Sequence, residues 1–423
     1  MKKNLSEFLP KFKYLSLHGD IDRSVTDVCY DSRSVKPKSI FIAIPGLDSD
    51  GHEFIPQAIK RGAKVVIGEV SYSELEVNPE TYVRVEDSRK ALAQTSHIFF
   101  GEPTEKLFVV GITGTNGKTT TAHLTELVLG KKTSIISTLT NSETPPEEEP
   151  VTTPEAPEIH RIARNDLDKG KKNLVLEVSS HGLSLNRVDR VDFDCGVFTN
   201  LTRDHLDFYD SMDEYAEDKI KLFTTLSENS TAILNSDEEL SDRIMARTKA
   251  KIISYGVRED PEVYAEKIDK TADGVEFKLI SPWGSESVKL NIPGIYNIYN
   301  ALAAATVGFI KGVGLSEIVT RLESAKKLPG RMEKLRLNNG SDVYIDFAHN
   351  PGALKSSLVE LKDHYREILL VFGCGGMSDR GKRPEMGEIA TKYSDRFFIT
   401  DDNPKDEDRM KIIEEIESGV GER

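Results

Sequence analysis

The chain has 423 residues, of which 38% are hydrophobic, 30% charged and 7% aromatic, a globular composition spread over a length that predicts about two to four domains. Its 56 Lys and Arg against 70 Asp and Glu give a net charge of −14 with no basic block. That excludes nucleic acid or an anionic membrane as the main partner, since each needs a clustered positive surface. Any anion must be held locally, by loop amides, a few cations and metal.

Cys29, Cys195 and Cys374 are far apart and form no C-x-x-C, which argues against a disulfide framework or zinc site and fits a reducing compartment. The opening MKKNLSEFLPKFKYL breaks its apolar residues with Ser, Glu, Pro and Lys, so it lacks the centre of a signal peptide. No run of about 18 apolar residues follows. A cytoplasmic monomer is expected.

In chain order, apolar strand-like runs alternate with helix-like segments, which predicts an α/β protein of parallel sheets covered by helices. Three domains are expected, over residues 1–105, 106–330 and 331–423. The first holds the strand SIFIAIPG, the helix HEFIPQAIKRGA and the strand KVVIG. The turn FFGEPTEK leads into LFVVGIT, a buried strand opening the central domain, which continues through NLVLEVSS and FDCGVFTN. The Pro- and Glu-rich NSETPPEEEPVTTP is expected as an exposed loop. A β-rich passage over 251–292 precedes a helix from about Asn297, and AKKLPGRMEKL reads as the hinge to the third domain. There VYIDFAHN, ILLVFGCGG and RFFITDDNP are again strands with polar ends. Ligands of open α/β sheets lie at the carboxyl ends of strands, so these polar tails are where chemistry is expected.

VVGITGTNGKTTTAHL (109–124) follows a strand and opens a helix, the context of a phosphate site. Gly111, Gly114 and Gly117 let the backbone approach phosphates, and Thr115, Asn116 and Thr120 complete the loop, with helix amides and dipole behind it. Lys118 would contact the β- and γ-phosphates of ATP and Thr119 would hold Mg²⁺, although the strict G-x-x-x-x-G-K-[ST] pattern wants Gly where Ile112 stands. A glycine-rich turn without a nucleotide is the plain alternative.

GITGTNGKTTT resembles the ATP loop of the Mur ligases, the peptidoglycan-precursor amide ligases, whose superfamily includes the folylpolyglutamate synthases. LEVSSHGLSLNRV supplies Glu177 directly after a strand, a hard oxygen ligand suited to Mg²⁺. TNLTRDHLDFYDSMDEYAEDKIKLF supplies His205 after another strand and Lys219 on the next helix. The resemblance implies a P-loop-type, mostly parallel central sheet flanked by helices and a Rossmann-like C-terminal domain. It also implies two Mg²⁺ sites, with His205 on the second and Lys219 carbamylated by CO₂. Asn297 and Asn300 fall beside the adenine, Arg331 on phosphate, Asp346 on ribose, and His349 among the same ATP contacts. The reaction so implied passes the γ-phosphate of ATP to a carboxylate, and an amine then displaces phosphate.

The amino-terminal VCYDSRSVKPKSIFIAIPGLDSDGHEFIPQAIKRGAKVVI resembles the uridine-binding domain of the family's tripeptide synthetases. These join a diamino acid to the D-Glu γ-carboxylate of UDP-N-acetylmuramoyl-L-alanyl-D-glutamate. The resemblance places Ser32, Thr152, Thr153, Ser179 and Arg187 on that substrate, with Leu185 where a polar contact is expected. In the third region GCGGMSDRGKRPEMGEIA contributes Arg383, and TDDNPKDED contributes Asp402, Asn403 and Lys405. The meso-diaminopimelate enzymes have Arg where Lys405 stands, and commonly Arg at Ser378. Loss of a forked guanidinium weakens the case for a second carboxylate on the amino acid. Lys405 is still cationic and disfavours a distal ammonium, so both amino acids stay open, with L-lysine ahead. The family's last domain continues to a Gly-His-Glu segment, whereas this sequence stops at Arg423, so binding of ATP and UDP-sugar peptide with poor ligation is expected. The competing functions are another carboxylate–amine ligase, such as a different Mur ligase or a folylpolyglutamate synthase, and a non-enzymatic nucleotide switch.

Overall fold

The structure, a computed structural model, describes residues 2–46, 49–140, 151–258 and 260–421. Of the Pro- and Glu-rich stretch expected as a loop, residues 141–150 lie outside the described residues. The chain forms two compact units. The first comprises Met1–Val109, Thr138–Leu174 and His181–Phe193, and the second Val110–Ser137, Val175–Ser180 and Asp194–Arg423.

The main sheet of the first unit is built from strands β1 (Ser16–Gly19), β2 (Asp27–Cys29), β3 (Ser39–Ile42), β4 (Val65–Gly68) and β5 (Thr81–Arg84), followed in the chain by helix α1 (Ser88–Phe99). The sheet order is β1-β5-β4-β3-β2, parallel from β2 to β5 with β1 antiparallel at the edge. Every residue of β3 and β4 is buried, as parallel strands covered on both faces require. Asp87 caps α1 by accepting the Lys90 N–H at 2.9 Å. The helix buries Leu92, Ile98 and Phe99 in a core with Ile40, Val65, Ile67 and Val83.

Strand β6 (Phe108–Thr113), helix α2 (Lys118–Leu129) and strand β7 (Thr133–Ile136) follow, then helix α3 (Ala156–Asp168), which packs on α1 in the first unit. Next come β8 (Asn173–Glu177), β9 (Cys195–Phe198), α4 (Met212–Thr224), β10 (Thr231–Asn235), β11 (Lys251–Gly256), β12 (Val263–Thr271), β13 (Gly274–Ser281), β14 (Gly284–Leu290) and α5 (Ile295–Ile310). These strands build a nine-stranded sheet, ordered β14-β13-β12-β11-β10-β9-β6-β8-β7. The run β6-β9-β10-β11-β12 is parallel. The β-rich passage adds β13 and β14 as antiparallel hairpins at one edge. Helix α5 packs on α2, with Ala301 to Ala305 fully buried.

The chain then runs through strands β15 (Glu333–Arg336) and β16 (Asp342–Ile345), helix α6 (Pro351–Lys362), strand β17 (Leu369–Phe372), helix α7 (Lys382–Tyr393), strand β18 (Arg396–Ile399) and helix α8 (Arg409–Glu417). β15 and β16 pair antiparallel, β17 and β18 parallel. Leu354, Leu358, Phe372, Met386, Ala390, Ile412 and Ile416 form their core. Among the described residues no helix is long and apolar enough to cross a membrane.

Candidate active site

Strand β6 ends at Thr113 and helix α2 opens at Lys118, with Gly117 at its N-cap in the left-handed region, φ 85°. A Cβ there would lie 2.7 Å from Asn300 Oδ1, and one at Gly114 would lie 1.8 Å from Thr199 Oγ1. Backbone and space together demand glycine at both positions. The stretch after β9 holds the loop in shape. The Thr115 N–H donates to the Asn200 carbonyl at 2.9 Å, the Asn116 N–H to Asn200 Oδ1 at 2.9 Å, and the Thr199 hydroxyl to the Asn116 carbonyl at 2.7 Å.

Lys118 donates to the carbonyls of Gly114 and Thr115 at 2.9 and 2.8 Å. Burial pulls its pKa down, against the opposing pull of Glu177 and Asp204. The Thr119 hydroxyl donates to Glu177 Oε2 and accepts from Arg331 Nη2, each at 3.1 Å. Thr120 is buried on the same turn, and Glu177 is fully buried. The structure thus brings Lys118, Thr119, Glu177 and Arg331 together from three separate stretches of sequence. The Arg331 guanidinium lies 4.7 Å from the Phe347 ring centroid. Neighbouring Asp346 is exposed and accepts the Met332 N–H at 2.9 Å. On α5, Asn300 accepts from the Thr121 hydroxyl at 3.0 Å and donates to Asn297 at 2.9 Å, so both asparagines stand behind the loop.

Helix α4 is capped by Ser211 and carries Lys219, which is 1% exposed. The Lys219 ammonium stands 4.1 Å from the Tyr215 ring centroid, the His205 ring stands 5.9 Å from the same ring, and the Tyr215 hydroxyl bonds Thr115 Oγ1 at 3.1 Å. Tyr215 therefore ties Lys219 and His205 to the glycine loop. Burial first, and then the charge of Lys118, pull the Lys219 pKa well below the usual lysine range.

Sequence reasoning missed Asp204, the 2%-exposed neighbour of His205. Its Oδ2 accepts from His349 Nε2 at 3.1 Å and from Asn350 Nδ2 at 3.0 Å, and its Oδ1 lies 3.6 Å from the Lys382 ammonium. Burial alone would raise the Asp204 carboxyl, but the His349 hydrogen bond and the nearby charges of His205, His349 and Lys382 hold it far below the carboxylate range. Asn350 also donates to Asn116 Oδ1 at 3.0 Å and caps α6 through the Ala353 N–H at 2.9 Å. The available signal was position: Asp204 follows a strand tip and precedes a residue already singled out.

In the first unit, Ser32 is buried and donates to Gln57 Oε1 at 2.7 Å. Thr152 accepts from the Thr138 hydroxyl at 3.2 Å. Arg187 donates through Nη1 to the Thr153 carbonyl at 3.0 Å and through Nε to Glu155 at 2.8 Å. Thr153 and Arg187 are thus adjacent, while Ser179 belongs to the second unit.

The chain matches three family domains in order: the Mur ligase family catalytic domain over residues 24–99, the Mur ligase middle domain over 112–308 and the Mur ligase glutamate ligase domain over 330–423. It is 39% identical over 411 residues to the UDP-N-acetylmuramoyl-L-alanyl-D-glutamate–2,6-diaminopimelate ligase of Caldanaerobacter subterraneus subsp. tengcongensis, covering 96% of this chain and 84% of that one. The chain belongs to the Mur ligase family. It is accordingly an ATP-dependent, amide-forming ligase. The corresponding Clostridium tetani ligase is 37% identical, covering 98% of this chain and 87% of the relative. A solved 2,6-diaminopimelate ligase structure superposes with a TM-score of 0.72 at 29% identity, covering 100% of this chain and 87% of that one. The MurF ligase of Thermotoga maritima in complex with ADP shares the fold, with a TM-score of 0.66 at 21% identity over 93% of this chain and 97% of that one.

Within the stretch matching the glutamate ligase domain, Asp402, Asn403 and Lys405 are exposed. The Asn403 carbonyl accepts the Gly376 N–H at 2.8 Å, which joins the turn at 375–378 to the one at 402–405, and the Ser378 hydroxyl donates to the Gly375 carbonyl at 2.8 Å within the first. Arg383 is different. Its side chain is fully buried, and its guanidinium is spent on Glu407 at 2.8 Å, Glu415 at 2.7 Å and the Gly375 carbonyl at 3.1 Å. It stands under those turns as a brace.

Among the described residues, no three His, Cys, Asp or Glu side chains stand together as a cation cage. The donors at the loop are instead one buried carboxylate, Glu177, beside one hydroxyl, Thr119. That set fits Mg²⁺, which keeps waters and substrate phosphates as its remaining ligands.

Proposed function

We propose that this ligase joins a diamino acid to the D-Glu γ-carboxylate of UDP-N-acetylmuramoyl-L-alanyl-D-glutamate at the expense of ATP, by way of an acyl phosphate, as a step of peptidoglycan precursor synthesis. The names of the relatives support the substrate pair, with 2,6-diaminopimelate as the amino acid. The observation that carries the chemistry is the convergence of Lys118, Arg331, Thr119 and Glu177 at the head of the glycine loop, with Lys219 buried beside it. Phosphoryl transfer consists mostly of positioning and charge stabilisation, which is what such a set can supply.

In this reading Lys118 exchanges its loop carbonyls for the β- and γ-phosphates, and Arg331 moves from the Thr119 hydroxyl onto phosphate oxygen. Mg²⁺, when bound by Thr119 and Glu177, would neutralise charge on the transferring phosphoryl group. The depressed pKa of Lys219 makes its neutral amine available to add CO₂ with loss of a proton. The resulting carbamate turns a cation that repels metal into a ligand which, with His205, suits a second Mg²⁺. Asn297 and Asn300 are assigned to the base, Asp346 to the ribose and His349 to the same ATP contacts. Ser32, Thr152, Thr153, Ser179 and Arg187 are assigned to the UDP-sugar peptide, with domain boundaries near residues 105 and 330. Action as a monomer in the cytoplasm belongs to the same reading.

A second reading of the amino acid rests on one observation. Ser378 and Lys405 stand where two arginines are expected, and the Ser378 hydroxyl is turned onto Gly375. With no forked guanidinium for a distal carboxylate, L-lysine is the alternative. A competition between L-lysine and meso-diaminopimelate, with the UDP-dipeptide and ATP, decides between them by the mass of the UDP-tripeptide formed. Formation of neither product, with ADP released at a rate indifferent to the UDP-dipeptide, refutes the ligase reading.

A further inference from the structure

Glu155 lies at the start of α3, one residue before Ala156, and nothing in the chemistry above uses it. Its carboxylate is 12% exposed and has two guanidinium neighbours, Arg187 Nε at 2.8 Å and Arg89 Nη1 at 3.5 Å. Arg89, on α1, also donates Nε and Nη2 to the Pro45 carbonyl at 3.1 and 2.6 Å. Arg187 gives Nη1 to the Thr153 carbonyl. Of the Arg187 nitrogens, Nη2 alone has no hydrogen bond among the described residues. One carboxylate thus holds two arginines, and through them a loop after β3 and the Thr152–Thr153 turn, all within the first unit.

We propose that Glu155 is a positioning residue for the UDP-sugar peptide substrate. It fixes the Arg187 guanidinium and, through it, the Thr153 carbonyl, so that Nη2 and the Thr152 hydroxyl present one preformed anion-binding edge, while Arg89 completes the brace. The inference rests on the reading of Arg187 and Thr153 as substrate contacts. It carries a sign that distinguishes it from simple electrostatics. A carboxylate near a site for a diphosphate or carboxylate repels the ligand, so neutralising it should tighten binding if charge were its only effect. If Glu155 acts by holding Arg187, neutralising it loosens the arginine, and the ordering cost moves to the moment of binding.

The test uses the full chain and steady-state kinetics with UDP-N-acetylmuramoyl-L-alanyl-D-glutamate, ATP and the preferred diamino acid. Glu155→Gln should raise KM for the UDP-dipeptide about tenfold, with kcat and KM for ATP within twofold of the parent. Glu155→Asp should restore part of the loss. In an Arg187→Ala background Glu155→Gln should add no further increase, because its route of action is gone. A thermal melt keeps the result interpretable: Glu155→Gln retains the side-chain shape and should melt within a few degrees of the parent. An unchanged or lowered KM for Glu155→Gln, with Arg187→Ala still raising it, overturns the positioning role and leaves the substrate assignment standing. An unchanged KM in Arg187→Ala overturns both.

Discussion

Asp204→Asn is the substitution whose outcome follows most directly from the geometry around the glycine loop. The carboxylate is 2% exposed, accepts from His349 and Asn350, and faces Lys382, whose side chain is 6% exposed. Asparagine keeps the shape and can still accept one hydrogen bond, but it presents an N–H₂ where Asp204 presents a second acceptor, and it leaves the Lys382 ammonium buried without its counter-charge. Truncating one member of a buried ion pair costs about 3–5 kcal/mol. Lys382 is 3.6 Å away, beyond tight hydrogen-bond contact, so roughly 2–4 kcal/mol is the better expectation, with the lost charge-assisted bonds making up most of it. At this chain length about 2 °C is lost per kcal/mol, so calorimetry should show the second unit's transition falling by roughly 4–8 °C. Asp204→Asn combined with Lys382→Met removes the stranded charge and should recover about half of the loss. A single variant as stable as the parent, or a double variant no better than the single, would refute the view that Asp204 is the anion that balances this cluster.

The remaining expectations concern the reacting groups and the brace beneath them. Lys118→Ala should lower kcat roughly 10²–10³-fold, as removal of one preorganised charge-stabilising donor does elsewhere; turnover at the parental rate would mean that the loop does not grip the phosphates. Lys219→Ala should abolish turnover and regain part of it with added formate or acetate, measured as ADP release, and an active variant without added carboxylate would remove the carbamate from the scheme. Hydrogen bonds from Arg383 lower the Glu407 carboxyl to about 2. Its contribution to stability is therefore complete above the unfolded value of about 4.3 and is lost as pH falls toward 2. Denaturant midpoints of Arg383→Met should accordingly lie below the parent at neutral pH and approach it in acid, and a gap independent of pH would contradict the assignment.

How much of this was legible before the structure depended on how local each feature is. The glycine loop was readable because Gly114, Gly117, Lys118 and Thr119 fall within six residues and the backbone conformation is written in the glycines. Glu177 and His205 were readable because an apolar run followed by a polar residue marks a strand tip, and β8 ends at Glu177. The antiparallel turn taken by β13 and β14 was not readable, since alternation reports a half-covered strand and says nothing of its direction. Asp204, Asn350 and Lys382 escaped because their meeting spans almost 180 residues of sequence and each alone is an ordinary polar residue. Arg383, which the resemblance places on the substrate, carries no sign in its local sequence of its full burial between two glutamates. Only the packing of α7 and α8 decides that.

The absent side chain at Gly117 has a reach beyond the loop itself. The space a methyl group would need there is filled by the amide of Asn300, which in turn leans on Asn297 and Thr121. If Asn297 and Asn300 take the base as proposed, its recognition and the grip on the triphosphate are cut from one piece. An attempt to retune this ligase toward another purine by altering either asparagine would disturb the phosphate end before it reached the intended specificity, and compensating changes would have to be sought along both helices at once.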